Sequence, residues 1–237
     1  MARVGNHIVT SAIEHHAVLH SCQYLEKFGF EVTYVPVDRE GLVDAAEVAR
    51  AVHERTVLVS VMTANNEVGV VQPVAEIARA VRERARKLRR QIPFHTDAVQ
   101  AANALSLNVG ELGVDLLSLS SHKFRGPKGA GVLYLRRGTP FLPQQSGGGQ
   151  ERQRRAGTES VAGIVSTARA LELAQADRAA YAQTCRRLRD RLLDGILARL
   201  PDAQVNGHRE RRLPNNVNVS FRGGDARVML RLLDEAG

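Results

Sequence analysis

The chain has 237 residues, of which 43% are hydrophobic and 24% are charged, and its formal net charge is +8. This apolar fraction is ordinary for a globular protein and excludes a disordered chain. No apolar run approaches the roughly 20 residues of a membrane helix, and no signal-peptide stretch follows the first residues, so we expect neither a membrane partner nor secretion.

The basic excess consists almost entirely of arginine, which supplies 29 of the 33 basic residues. The arginines are spread along the chain without interleaved aromatic residues, so we do not expect nucleic acid as a partner. Any chemistry that needs a lysine amine has four candidates: Lys27, Lys87, Lys123 and Lys128. Two cysteines cannot form a disulfide framework, which indicates a reducing, cytoplasmic location.

The predicted elements alternate between helix and strand. Helices are predicted at 14–28, at 44–53, from Pro73 to about Leu88, across most of 160–200 and at 226–234. Strands are predicted at 31–37, 56–62, 92–96, 115–120, 131–135 and 215–221. In the helix after Pro73, apolar residues follow helical spacing and Arg79, Arg82, Arg86 and Arg89 fall on another, solvated face.

This rhythm predicts an α/β fold with a mostly parallel sheet flanked by helices. The helical region 160–200 offers a set of core candidates: Leu171, Leu188, Leu192, Leu193, Ile196 and Leu197. We expect a large domain over 1–175 and a partial, smaller α+β domain over 176–237.

Polar residues follow three successive strands of the predicted sheet. Ligands of open α/β sheets bind beyond the carboxyl ends of the strands. The residues delivered to that edge are Asn66, Asp97, Gln100, Ser120, His122 and Lys123. A cluster of this composition indicates a binding site.

Pyridoxal phosphate would use this set of residues. It needs a lysine amine for a Schiff base and an acidic partner for its pyridine nitrogen, and its phosphate needs hydroxyl, imidazole and N–H donors. Lys123, between Ser120 and the glycine-rich turn, suits the first need, and Asp97 at a strand end suits the second. Ser120 and His122 suit the third.

Several tracts of the chain resemble the cysteine desulfurases, which have the class V aminotransferase fold (fold type I of pyridoxal-phosphate enzymes). The tracts occur in the family's order along essentially the whole chain: Ile13-Glu-His15, Ala64-Asn-Asn-Glu-Val-Gly69, His95-Thr-Asp-Ala-Val-Gln100, Ser120-Ser-His-Lys123, Gly126-Pro-Lys-Gly129, Gly147-Gly-Gly-Gln-Glu-Arg152 and Ala156-Gly-Thr158. Selenocysteine lyase is a close relative and fits the glycine-rich tract equally well.

The resemblance implies a role for each site residue. Lys123 would carry the cofactor as a Schiff base and move protons, Asp97 would pair with the pyridine nitrogen, and Gln100 would bond the phenolic oxygen. His15 would stack on the ring, and Asn66 would lie beside the ring and the substrate. Ser120 and His122 would hold the phosphate. Thr158 would reach the phosphate of the neighbouring subunit of a homodimer.

The resemblance further implies that L-cysteine (or selenocysteine) is the substrate and that sulfur passes, through a cysteine thiolate, to an acceptor such as an iron–sulfur scaffold or a thiolation protein. Cys22 and Cys185 fall in predicted helices, where cysteine is usually an inert apolar residue. We therefore expect the nucleophilic cysteine, and the family's earlier strands, to lie outside this chain. The alternative is a catalytically incomplete fragment that only binds cofactor or offers a basic surface to RNA.

Overall fold

A computed structural model describes residues 5–237. The helices are α1 (His16–Glu26), α2 (Ala45–Ala51), α3 (Val74–Lys87), α4 (Val109–Leu112), α5 (Gln150–Gln153), α6 (Val161–Arg199) and α7 (Ala226–Ala236). The strands are β1 (His7–Ser11), β2 (Glu31–Val35), β3 (Thr56–Ser60), β4 (Phe94–Asp97), β5 (Leu116–Ser120), β6 (Gly131–Leu135), β7 (Ala203–Val205) and β8 (Val219–Phe221).

Six strands form one sheet in the order β2-β1-β3-β4-β5-β6. The first five strands are parallel and β6 pairs antiparallel with β5. The predicted mostly parallel sheet flanked by helices is therefore confirmed. The carboxyl ends of the parallel strands lie at one edge, which is the edge that the sequence marks as a site.

Strand β1 is absent from the sequence prediction. It lies in the interior of the sheet between β2 and β3, and all five of its residues are buried. Three of the five are polar, which hides the apolar run that usually marks a buried strand. The imidazole of His7 is nevertheless satisfied, because Nδ1 and Nε2 each lie 2.9 Å from a threonine hydroxyl, those of Thr56 and Thr33.

The main core lies between one face of the sheet and helices α2, α3 and the first half of α6. Val59, Ile77 and Phe94 are almost completely buried there, and each such side chain contributes about 1.5–3 kcal/mol to folding. The predicted two faces of α3 are confirmed, since its apolar residues are buried and Arg79, Arg82 and Arg86 are exposed; Arg89 is also exposed but lies beyond the end of the helix. Pro73 stands at the N-cap of this helix.

Helix α6 is a single helix of 39 residues that leads into the two-stranded sheet of β7 and β8. Leu193 is buried as predicted, but Leu188 and Leu192 are about half exposed. Their assignment to the core is wrong, because they lie on a face of α6 that the described residues do not cover. The last predicted strand is also shorter, spanning Val219–Phe221.

Within residues 5–237, no helix has the length and apolar character that crossing a membrane requires.

Candidate active site

The site is built where β3, β4 and β5 end side by side. Asp97 is the last residue of β4 and pairs in register with Ser118 of β5. Its carbonyl oxygen accepts a hydrogen bond of 2.8 Å from the amide of Thr63, just beyond β3. The hydroxyls of Thr63 and Thr96 lie 2.8 Å apart and tie the same two strands together. Asp97 is thus held at the centre of the edge.

The Asp97 side chain is half-buried and fixed by one oxygen. Its Oδ1 accepts a hydrogen bond of 2.9 Å from the amide of Val99, so Asp97 also begins the turn that follows the strand. No described residue donates a hydrogen bond to Oδ2. This carboxylate oxygen is available to a ligand. Gln100 follows three residues later in the same turn and is half-buried.

Lys123 stands on a 3₁₀ turn (Ser121–Phe124) that directly follows β5. His122 and Lys123 are exposed, whereas Ser121 before them and Phe124 after them are buried. The Ser121 hydroxyl accepts a hydrogen bond of 3.0 Å from Thr167 of α6. The buried residues and this hydrogen bond therefore hold the turn against the protein, while the side chain of Lys123 is exposed.

Two further donors adjoin the lysine. The hydroxyl of Ser120 and Nδ1 of His122 lie 2.9 Å apart, so the structure brings this predicted pair together. The backbone carbonyl of Lys123 accepts a hydrogen bond of 2.7 Å from the Asn103 side chain, which fixes the turn against the segment after Asp97.

His15 is the N-cap of α1, and its Nδ1 accepts a hydrogen bond of 3.1 Å from the amide of Ala17. A ring nitrogen that accepts cannot carry a proton, so in the neutral imidazole the proton lies on Nε2. His15 is exposed. Asn66 is half-buried in the turn after β3, next to the buried Asn65, whose side-chain amide donates to the carbonyl of Ile13 over 2.8 Å. The loops that carry His15 and Asn66 are therefore joined.

Thr158 lies in an exposed segment between α5 and α6. Within residues 5–237, no hydrogen bond joins it to the other predicted site residues. The prediction that it serves a neighbouring subunit stays a prediction.

Sequence reasoning missed the part played by Glu14. Its buried carboxylate Oε1 accepts hydrogen bonds from the Ser11 hydroxyl (2.6 Å) and from the amide of Met62 (2.7 Å). Burial, with a smaller contribution from the nearby charge of Asp97, raises the pKa of Glu14 to about 7. Glu14 ties the loop before His15 to the end of β3. The signal was present in the tract Ile13-Glu14-His15, from which only the histidine was assigned a role.

A second missed residue is His95, whose two ring nitrogens each lie 2.8 Å from a serine hydroxyl, Ser60 on one side and Ser118 on the other. Burial lowers the pKa of His95 to about 4. This neutral imidazole joins β3, β4 and β5 beneath Asp97.

We expect Glu14→Gln to change how stability depends on pH. A buried carboxyl with a raised pKa stabilises the fold below its ordinary pKa of about 4.5, and this stabilisation is lost as pH rises towards 7. Glutamine keeps an acceptor oxygen for Ser11 and Met62 but does not ionise. Between pH 4.5 and 7, the free energy of unfolding of wild type should fall relative to that of the variant by up to about 1.4 kcal/mol per pH unit.

Urea unfolding of both proteins at several pH values measures this difference, and Glu76→Gln, at an exposed glutamate of α3, is the matched control. Parallel stability curves for wild type and Glu14→Gln would show that the pKa of Glu14 is the same in the folded and the unfolded protein and would contradict this expectation.

The comparisons with known proteins show the family to which the chain belongs. The sequence model of the aminotransferase class-V family matches residues 2–237, so the chain belongs to that family. A cysteine desulfurase IscS of Methanosarcina thermophila is 50% identical over 233 residues, covering 98% of this chain and 56% of the relative. The chain thus spans little more than half the length of this curated relative.

Two solved structures extend the comparison. A NifS-like protein superimposes with a TM-score of 0.93 at 42% identity, covering 100% of this chain and 63% of that one. A structure described as SspA in complex with cysteine gives a TM-score of 0.79 at 34% identity, covering 98% and 62%. The sheet described above is therefore the aminotransferase class-V fold, as the sequence predicted.

Proposed function

We propose that these residues form the cofactor site of a pyridoxal-phosphate-dependent cysteine desulfurase. The observation that carries the proposal is the arrangement at one sheet edge of Lys123 on an anchored turn, the Asp97 carboxylate, and the pair of Ser120 and His122. The identity of 50% to a cysteine desulfurase supports the choice of reaction within the family. The similarity to SspA, whose structure was solved in complex with cysteine, supports the choice of substrate.

The residues present fit pyridoxal phosphate. Asp97 has one carboxylate oxygen engaged and one available, as a partner for a protonated ring nitrogen requires. Ser120 and His122 supply hydroxyl and imidazole groups for the phosphate, and Gln100 supplies an amide for the phenolic oxygen. When bound, the cofactor supplies an electron sink for the substrate carbanion.

The remaining roles belong to proton transfer and orientation. The Lys123 amine would hold the cofactor aldehyde and would take the proton from the substrate Cα. His15, with its proton on Nε2, would stack on the cofactor ring and assist this transfer. Asn66 would lie beside the ring and orient the substrate.

In the overall reaction, the bond between Cβ and sulfur of L-cysteine breaks. The sulfur bonds to a cysteine thiolate of the enzyme as a persulfide, and Cβ gains a proton to give L-alanine. Burial raises the pKa of Cys22 to about 11, with smaller contributions from Glu14 and Glu26, so its thiolate is disfavoured. Cys185 is half-buried on α6. We therefore assign the nucleophile to a cysteine outside these 237 residues.

We further propose a cytoplasmic homodimer in which Thr158 binds the phosphate held by the partner subunit. The sulfur acceptor would be an iron–sulfur scaffold or a thiolation protein. The large domain would span 1–175 and the smaller one 176–237. This boundary falls within α6, where Gln175 still bonds the carbonyls of Ala102 and Leu105, while Arg189 reaches the carbonyl of Leu213.

Hydrogen exchange at the α-carbon of L-alanine tests the proposal without needing the nucleophilic cysteine. Protein loaded with pyridoxal phosphate is incubated with L-alanine in D₂O, and NMR follows deuterium incorporation at Cα. We expect exchange that requires both cofactor and protein. Uptake of cofactor without any α-exchange would contradict the assigned proton transfer by Lys123.

A further inference from the structure

The turn that carries Asn66 is held first from within the large sheet. The Asn65 side-chain oxygen accepts hydrogen bonds from the amides of Glu67 (2.8 Å) and Val68 (2.9 Å). Its amide group donates to the carbonyl of Ile13, two residues before His15. One buried asparagine therefore shapes the turn and connects it to the loop of His15.

The same turn is held a second time by the segment 206–218, whose side-chain contacts to it span 144 to 151 residues of sequence. Three successive carbonyls of the turn each accept hydrogen bonds from this segment. Glu67 accepts from the side chains of Asn216 (2.9 Å) and Asn218 (3.0 Å). Val68 accepts from Nη2 of Arg212 (2.8 Å), and Gly69 accepts from the amide of Leu213 (2.8 Å).

Two glycines allow this close approach. A Cβ on Gly69 would lie 2.4 Å from the side-chain oxygen of Asn216, and a Cβ on Gly207 would lie 2.8 Å from the carbonyl oxygen of Val68. Both residues also have positive φ values, +75° and +79°, which favour glycine. Each of the two segments therefore has a glycine at the position where the other segment approaches most closely.

Arg212 is a costly residue if its role is only to hold the two segments together. Its side chain is buried, and its Nη2 donates to the carbonyls of Val68 and Asn206. No described residue accepts from its Nε or Nη1. A buried cation with unpaired donors destabilises, and an apolar residue of similar volume would join the segments at lower cost. The directional hydrogen bond to the turn is what an apolar residue could not supply.

We propose that Arg212, Asn216 and Asn218 are positioning residues for the active site. Through the carbonyls of Glu67 and Val68 they set the orientation of Asn66. Through Asn65, which bonds the carbonyl of Ile13, they also influence the position of the loop of His15. The segment 206–218 thereby controls the orientation of site residues on the loops that follow the strands of the large sheet. The inference rests on the proposed function, because it takes Asn66 and His15 to face the cofactor.

The test uses two separate variants. Asn216→Asp keeps the size of the side chain but cannot donate to the carbonyl of Glu67, and Asn218→Ala removes the second donor to the same carbonyl. In cofactor-loaded protein, both variants should lower the α-exchange of alanine by about 10- to 100-fold, the cost of slight misplacement in an active site. They should also change the visible circular dichroism of the bound cofactor. Arg212→Lys, which retains the charge but only one donor nitrogen, should fall between them and wild type.

Two controls separate positioning from stability. Arg211→Ala removes an exposed neighbouring arginine and should leave both signals unchanged. Val48→Ala destabilises the protein through the buried core of α2 and should leave the dichroism of the folded fraction unchanged. Wild-type dichroism in both asparagine variants would overturn the inference.

A readout without cofactor keeps the inference distinct from the proposed function. In cofactor-free protein, Asn216→Asp should shift the NMR signals of the Asn66 side-chain amide and the His15 imidazole. Unshifted signals would overturn the inference whether or not the wild type takes up cofactor, while failure of the wild type to take up cofactor would overturn only the proposed function.

Discussion

Lys123→Ala is expected to remove the visible absorbance that the wild-type protein gains with pyridoxal phosphate. The α-exchange of alanine should fall by about 100- to 10,000-fold, the usual contribution of a positioned proton-transfer group. The reason is geometric, because Lys123 alone among the four lysines lies directly after a strand at the site edge, on a turn anchored by buried Ser121 and Phe124. Absorbance spectra and NMR of the loaded proteins measure both effects.

The matched control for this variant is Lys128→Ala. Lys128 is also exposed and lies five residues further along, in the turn before β6. The Lys128→Ala protein should bind cofactor and catalyse the α-exchange of alanine as wild type does. Equal loss in both variants, or no loss in Lys123→Ala, would contradict the assignment.

Asp97→Asn is expected to separate cofactor binding from chemistry. Asparagine keeps an oxygen to accept the hydrogen bond from Val99, so the turn and the fold should persist, but it lacks the charge that keeps the ring nitrogen protonated. The α-exchange of alanine should fall by about 100- to 1000-fold, the range for removing one electrostatic group from a catalytic centre. The Lys123-dependent absorbance should remain.

Asp115→Asn is a suitable comparison, because Asp115 lies at the opposite end of the sheet and pairs with Arg136 over 3.0 Å. That variant should lose some stability while the folded protein exchanges alanine at the wild-type rate. An Asp97→Asn protein with full α-exchange would show that another group protonates the ring nitrogen.

Much of the fold and of the site follows from local sequence signals. The strands that end at Asp97 and Ser120 were predicted because each apolar run stops at polar residues, and the parallel sheet places those ends at one edge. The face of α3 that packs on the core was predicted because its apolar residues repeat with helical spacing. The resemblance to cysteine desulfurases then gave the residues at this edge their roles.

The missed features depend on contacts that are distant in sequence. Nothing local in β1 marks it as an interior strand, because its histidine is satisfied by hydroxyls of β2 and β3. The contact of Arg212 with Val68 spans 144 residues. Leu188 and Leu192 show the opposite error, since helical spacing predicts an apolar face but does not say whether another element covers it.

The most direct test of the central claim is a peptide mass map of the cofactor-loaded protein after treatment with borohydride, which makes the attachment of an aldehyde to a lysine amine permanent. At one equivalent of pyridoxal phosphate, we predict that the added mass lies on the peptide containing Lys123. An added mass distributed over the peptides of Lys27, Lys87 and Lys128, with Lys123 unmodified, would contradict the assignment of Lys123 as the cofactor lysine.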